Sequence, residues 1–196
     1  MKKKLILAVI ATLGFNVQAA NLSKTYLEIG YSQTDLDEAD YNATGYKAGA
    51  GYEFENGIYV GFNYKRQKDT LSIFLNETDV EFDENLLEAG YIIHESQNGR
   101  FAIGAQVGKM DIKADSNTTE FDLARVYTEY EHSFNKYLSG FVQVGYENYD
   151  ASGVSKRDGA RFGGGLKAHF GSSSISLEYF KGDDFDQSAL MYRYSF

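Results

Sequence analysis

Apolar and polar residues alternate with period two along most of the chain. In Lys24–Ser32, Thr25, Leu27, Ile29 and Tyr31 share one face, opposite Tyr26, Glu28, Gly30 and Ser32. In Thr44–Phe54 the apolar face is Tyr46, Ala48, Ala50, Tyr52 and Phe54, and the other face carries Lys47, Gly49, Gly51 and Glu53. Successive side chains of a strand point to opposite sides, so this period predicts β-strands and not helices. The same reading predicts strands around Ile58–Lys65, Leu87–Ile93, Phe101–Val107, Ala124–Tyr130, Leu138–Tyr146, Phe162–Phe170, Ile175–Tyr179 and Leu190–Phe196. The ten segments have about the length that a tilted strand needs to cross a bilayer.

The connections alternate in length. Short ones fall near Asn56, Asn98, Asn135 and Ser173, the first two as Asn-Gly turns. Longer polar ones cover Thr34–Ala43, Lys68–Asp83, Lys113–Thr119, Asp150–Asp158 and Lys181–Gln187. Short periplasmic turns and longer outer loops are the arrangement of a transmembrane barrel. The expected fold is therefore all-β, a transmembrane antiparallel up-and-down β-barrel of ten strands, with eight strands and one misread hairpin as the alternative. The apolar face is expected to look outward to lipid. The polar face is rich in glycine (Gly30, Gly49, Gly51, Gly61, Gly90, Gly104), which suits the crowded inside of a narrow closed sheet. Leu86, Ile92, Phe141, Phe180 and Met191 break the pattern by falling on the inward face; rim residues, packed lumen residues and bulges all remain open readings.

Composition sharpens this picture. There is no cysteine and no proline, but sixteen tyrosines, fourteen phenylalanines and twenty glycines. Thiolate chemistry and disulfides are excluded, and uninterrupted strand ladders are favoured. The start reads as a secretory signal peptide, residues 1–19, ahead of a barrel domain over residues 20–196. Lys2, Lys3 and Lys4 form its charged region, Leu5–Phe15 its apolar stretch, and Val17-Gln18-Ala19 its cleavage site. Removing those three lysines takes the net charge from −9 to −12, which argues against nucleic-acid binding.

The chain ends in Leu190-Met191-Tyr192-Arg193-Tyr194-Ser195-Phe196, an alternating aromatic run that stops at Phe196. This resembles the C-terminal signal with which outer-membrane proteins are handed to the barrel assembly machinery. Tyr192, Tyr194 and Phe196 carry the resemblance. With the ten segments and the short turns, the chain resembles the small porin-like outer-membrane β-barrel domain family of Gram-negative bacteria. The resemblance implies a multi-pass barrel in the cell outer membrane, surrounded by its lipid. It implies fold and place more firmly than activity.

By parity, twelve charged residues point into the lumen: Glu28, Lys47, Glu53, Lys65, Glu88, Arg125, Glu129, Glu147, Arg161, Lys167, Glu178 and Arg193. Buried charges need partners, and Glu28 with Lys47, and Glu178 with Lys167 or Arg193, are the expected pairings. The network is expected either to fill the lumen or to line a narrow pore. His94, His132 and His169 each end a strand at the periplasmic rim. Parity turns His94 and His169 inward, four strands apart, and His132 outward, so neither a metal site nor a triad, which needs a base in contact with its nucleophile, is expected. No cofactor is expected. Acidic loop residues (Asp35, Asp37, Glu38 and Asp40; Asp69, Glu77, Asp79, Glu81, Asp83 and Glu84; Asp183, Asp184 and Asp186) could take divalent cations. Three functions stay open: a non-enzymatic barrel for envelope integrity or narrow passive solute passage; a surface adhesin acting through its outer loops; and, third, a lipid-modifying enzyme.

Overall fold

The computed structural model describes residues 22–36, 41–73, 76–114, 117–151, 156–183 and 185–196; the expected signal peptide lies outside them. Ten strands follow one another: β1 (Tyr26–Leu36), β2 (Tyr41–Glu53), β3 (Ile58–Ile73), β4 (Asn76–Glu95), β5 (Gly99–Ala114), β6 (Asn117–Asn135), β7 (Leu138–Asp150), β8 (Arg157–Phe170), β9 (Ser173–Lys181) and β10 (Phe185–Ser195). Each pairs antiparallel with its chain neighbours, and β1 closes on β10 from Tyr26↔Ser195 to Leu36↔Phe185. The sheet is a closed ten-stranded barrel, so the eight-stranded alternative falls.

The apolar face lies outside. Leu27, Leu87, Val142 and Leu177 are 55%, 63%, 61% and 58% exposed. A soluble sandwich would hide these residues between its sheets; here they form the outward band that suits hydrocarbon. Aromatic rings mark its edges. Tyr52 stacks edge-on against Phe54 and Tyr194 against Phe196 at the short-turn end, and Tyr46 lies 5.9 Å from Tyr64 at the other. The short turns are tight. Gly57 adopts φ 82°, which admits the bend between β2 and β3, and its N–H donates to the carbonyl of Phe54 at 3.0 Å.

The five residues that break the apolar-out pattern are packed lumen residues. Leu86, Ile92, Phe141, Phe180 and Met191 are all buried. Four of them sit directly across from a glycine: Leu86↔Gly108, Phe141↔Gly165, Phe180↔Gly163 and Met191↔Gly30. A Cβ at Gly165 would lie 2.7 Å from the Phe141 ring, and one at Gly163 would lie 2.5 Å from that of Phe180. The lumen glycines are thus the hollows that large neighbours occupy.

The loops differ from expectation. The stretches read as Lys68–Asp83 and Lys113–Thr119 are mostly strand, because β3 to β6 run on past the apolar band. These strands have 16, 20, 16 and 19 residues, against 9 to 14 in the rest. Twenty residues extend roughly 66 Å, well beyond a hydrocarbon core of roughly 30 Å even when tilted. One side of the barrel therefore rises as a wall. There the alternation inverts: Ala43 and Val80 are buried inside with Phe82, Ile112 and Ala114, while Arg66, Glu81, Asp83 and Lys113 pair on the outside. A search for apolar-outward strands misses this stretch because water, not lipid, surrounds it.

Leu166, central to the outward run Phe162–Phe170 of β8, tests the lipid-facing assignment. Leu166→Arg is expected to lower stability by about 2–4 kcal/mol for a site near the bilayer midplane, in denaturant titrations of protein folded into vesicles. Ser172→Arg, in a short turn, should change it by less than about 1 kcal/mol.

Candidate functional site

The lumen gathers the charged chemistry of the chain. Glu28 and Arg193 are direct cross-strand partners, with Arg193 Nη2 2.6 Å from the carboxylate. Arg125 and Glu147 are likewise opposite, at 2.9 Å, and Lys65 faces Glu84 at 3.0 Å. Lys47 on β2 reaches across the interior to Glu178 on β9, at 3.3 Å. Lys167 pairs with Glu131 at 2.7 Å. Glu129 takes Lys24 Nζ at 2.5 Å, and Glu53 takes the Lys24 backbone N–H and Arg100 Nη1, both at 2.8 Å. Glu88 accepts from Asn63 at 3.0 Å, from Gln106 at 3.1 Å and from the Tyr127 hydroxyl. Arg161 donates to Gln143 at 2.9 Å, and its guanidinium carbon lies 3.8 Å from the centroid of the Phe180 ring.

All twelve expected residues thus face the interior, but the expected pairings change. Glu28 lies opposite Gly49 on β2, so Lys47 is one pair too far along, while Arg193 is level with it on β10. Glu178 is level with Gly165, not with Lys167. Strand tilt sets these heights, and parity says nothing about height. Four partners lay outside the reading: Lys24, Glu84, Arg100 and Glu131. Lys24 precedes β1, Glu84 lies in a stretch read as loop, and Arg100 and Glu131 flank short turns. Continuing the parity of Glu88 back to Glu84, and of Glu129 on to Glu131, would have found two of them.

The interior is closed toward the short turns. The hydroxyls of Tyr59 and Tyr127 meet across the lumen at 3.0 Å. Their rings need Gly90 and Gly104 behind them; a Cβ at Gly104 would lie 2.5 Å from Tyr127 Cζ. Below this pair the segment before β1 turns into the barrel. Arg100 holds the Leu22 carbonyl at 2.7 Å, and buried Lys24 lies 5.4 Å from the Tyr59 ring centroid. The cavity that remains in the lumen is about 100 Å³.

The histidines diverge from expectation. A register shift between Ile92 and His94 makes His94 the exposed partner of Phe101. His132 lies outside between Tyr130 and Phe134. His169 does face inward, but it is buried and its Nε2 lies 2.8 Å from Ser139 Oγ. Parity alone does not foresee this serine–histidine contact; with the one Ser139 proton given to Glu131, His169 donates to the hydroxyl and is not placed as its base. Ser139 also donates to Glu131 at 3.2 Å and is 0% exposed, and the adjoining cavity is only about 10 Å³.

On the wall, the acidic residues are largely committed. Glu81 pairs with Lys68 at 2.6 Å and with Arg66, and Asp83 pairs with Lys113 at 2.6 Å. The hydrogen bond from Lys68, helped by Arg66, holds the Glu81 carboxyl below its ordinary pKa. Glu84 turns inward to Lys65. Asp69 accepts from the Asn42 backbone, Asp79 from Thr70 and Asp186 from Lys181. Among the described residues no group of three or more carboxylates or histidines converges on a metal position. Asp37, Glu38, Asp40 and Asp184 lie outside the described residues. At the chain end Tyr192, Tyr194 and Phe196 are exposed on the apolar face, and the Phe196 N–H donates to the Thr25 carbonyl at 3.1 Å.

The direct pair Glu28–Arg193 is the cleanest place to weigh the network. Arg193→Gln leaves a buried carboxylate without its partner and is expected to lower stability by about 3–5 kcal/mol. Adding Glu28→Gln should recover most of that loss, measured by denaturant unfolding of vesicle-folded protein in a double-mutant cycle.

No family model and no curated protein matches the sequence. Solved structures do. The β domain of the Bordetella autotransporter BrkA aligns at TM-score 0.58 and 13% identity, over 87% of this chain and 98% of that one. Ail of Yersinia pestis aligns at TM-score 0.38 and 16% identity, over 86% and 97%. The KdgM porin aligns at 0.40 and 13%, over 86% and 99%. At this identity the BrkA alignment bears on fold alone: this chain shares the β-barrel fold of that domain.

Proposed function

We propose that this chain is a non-enzymatic integral barrel of the outer membrane that serves envelope integrity, with its lumen sealed against solutes. The observation that carries this reading is the filled interior. Ion pairs span it from β2 to β9, a tyrosine pair crosses it, and about 100 Å³ is left open. A continuous aqueous path would have to separate buried charge pairs, and losing one partner of such a pair costs about 3–5 kcal/mol. Passive passage is the weaker half of this reading for the same reason. The Ser139–His169 contact does not favour an enzyme, because a nucleophile needs room for a substrate and Ser139 has none.

A second reading is favoured by the wall. β3 to β6 carry paired charges far outside the apolar band, where a surface partner could meet them. This is the interaction reading, with the wall in place of irregular loops.

Planar-bilayer recording tests the first reading. Purified, refolded protein is expected to give no unitary current steps above background; stable steps from the unaltered chain would overturn the sealed lumen. Tyr59→Ala with Tyr127→Ala should introduce them. Shortening the β3–β4 hairpin between Asp69 and Val80 separates the two readings. Unchanged resistance of cells to detergent is expected, and loss of adherence with the barrel intact would move the function to the wall.

A further inference from the structure

Among the described residues, the wall has two edges above the bilayer that no neighbouring strand covers. β2 follows β3 no further than Thr44↔Lys68, and β7 follows β6 no further than Asp122↔Asp150. An unpaired edge is a template for another strand, and proteins ordinarily blunt it with charges, prolines or caps. The β3 edge is blunted. The Asp69 carboxylate accepts the Asn42 N–H at 2.7 Å and the Thr70 N–H at 2.8 Å, and Asp79 accepts the Thr70 hydroxyl at 2.9 Å.

The β6 edge, Asn117–Phe121, carries no lysine and no proline. Asn117–Glu120 are exposed and Phe121 is half-buried. Glu120, its one charge, turns back along the sheet to Lys109. Its backbone groups are placed for a further strand. Ser133 donates its N–H toward β5, to the Asn98 carbonyl at 2.7 Å, and the pairing of β5 with β6 runs unbroken from Gly99↔His132 to Ala114↔Asn117. Bonding direction alternates along a strand, so odd-numbered residues of β6 bond to β5. Thr118 and Glu120 therefore direct their N–H and C=O to the side where β7 no longer runs.

The two faces beside this edge define what fits it. On the outer face Asp122 and Asp150 are direct cross-strand partners, both exposed, and neither forms an ion pair among the described residues. Like charges so placed repel, and a cation beside them relieves it. On the inner face Phe121 continues the apolar row from Met110, its partner on β5.

We propose that Asn117–Phe121 is a docking edge for an extended peptide segment of a partner protein, which adds as a strand antiparallel to β6 and alternates basic with apolar residues. Its backbone bonds to Thr118 and Glu120. Its basic side chains lie outside, beside Asp122 and Asp150, and its apolar ones lie inside against Phe121. The proposal deepens the interaction reading of the wall and rests on it.

Calorimetric titration of the refolded full barrel in an uncharged detergent tests it, with the capped heptapeptide acetyl-Lys-Val-Lys-Val-Lys-Val-Lys-amide as probe. One-to-one saturable binding is expected. The peptide residue opposite Glu120 is both outward and bonded to β6, so N-methylation of the lysine amides should weaken binding at least tenfold and N-methylation of the valine amides should not. Thr118→Pro removes a free-edge donor without altering charge or the β5 ladder, and should also weaken binding at least tenfold. Lys136→Gln, in a short turn, should leave it unchanged. Each variant is first shown to be folded by its shifted gel mobility before boiling. In hydrogen exchange the Thr118 and Glu120 amides should gain protection on adding peptide, while those of Thr119 and Phe121, already bonded to β5, should not. Absence of saturable binding would overturn the docking edge, and so would binding that survives both lysine N-methylation and Thr118→Pro, which is charge attraction alone. Loss of adherence on shortening the β3–β4 hairpin, found together with either result, would refute the edge and leave the wall as the interaction surface.

Discussion

The structure depends on a single constraint: in hydrocarbon, each backbone N–H and C=O must find its partner within the protein. An open sheet leaves two unpaired edges there. The register of β1 against β10 removes both, and the Phe196 N–H is tied to Thr25 at the seam. Closure then dictates the rest. In width a ten-stranded ring lies nearer to the eight-stranded barrels that side chains fill than to the sixteen-stranded ones that leave a channel, and side chains crowd the inside of this one.

Two devices pack it. The first is volume exchange between adjacent strands. Phe141, Phe180, Met191 and Leu86 each face a glycine, and Tyr59 and Tyr127 lean over Gly90 and Gly104. The second is charge pairing at matched heights, as in Glu28–Arg193 and Arg125–Glu147. The devices meet where Lys167 lies 5.0 Å over Phe141 and Arg193 lies 3.7 Å over Tyr26, so that aromatic faces cover buried cations. The interior that results is mechanically and electrostatically continuous from Lys24 to Arg161.

Beyond the bilayer the same ladder of hydrogen bonds continues in a different solvent. On β3 to β6 the inward residues become apolar (Val80, Phe82, Ile112) and the outward ones become ion pairs (Arg66 with Asp83, Lys113 with Asp83). The strand parity does not change along this extension; what each face touches does. The chain therefore builds a membrane domain and a water-exposed sheet from one set of uninterrupted strands.

This division explains what could be read beforehand. Period-two patterning determined the ten strands, the outward face and the twelve inward charges, because strand geometry forces alternate side chains apart whatever surrounds them. The short turns at Asn56 and Asn98 were legible for the same local reason. The partner of each charge was not. Glu28 meets Arg193 instead of Lys47 because strand tilt sets relative height, and tilt is a property of the closed ring. The bulge that turns His94 outward and the contact of Ser139 with His169 also belong to pairing between strands. So does the extension of β3 to β6, whose polarity pattern had no meaning until the level of the membrane was known. Local alternation is written along the chain; height, register and solvent exist only once the ring has closed.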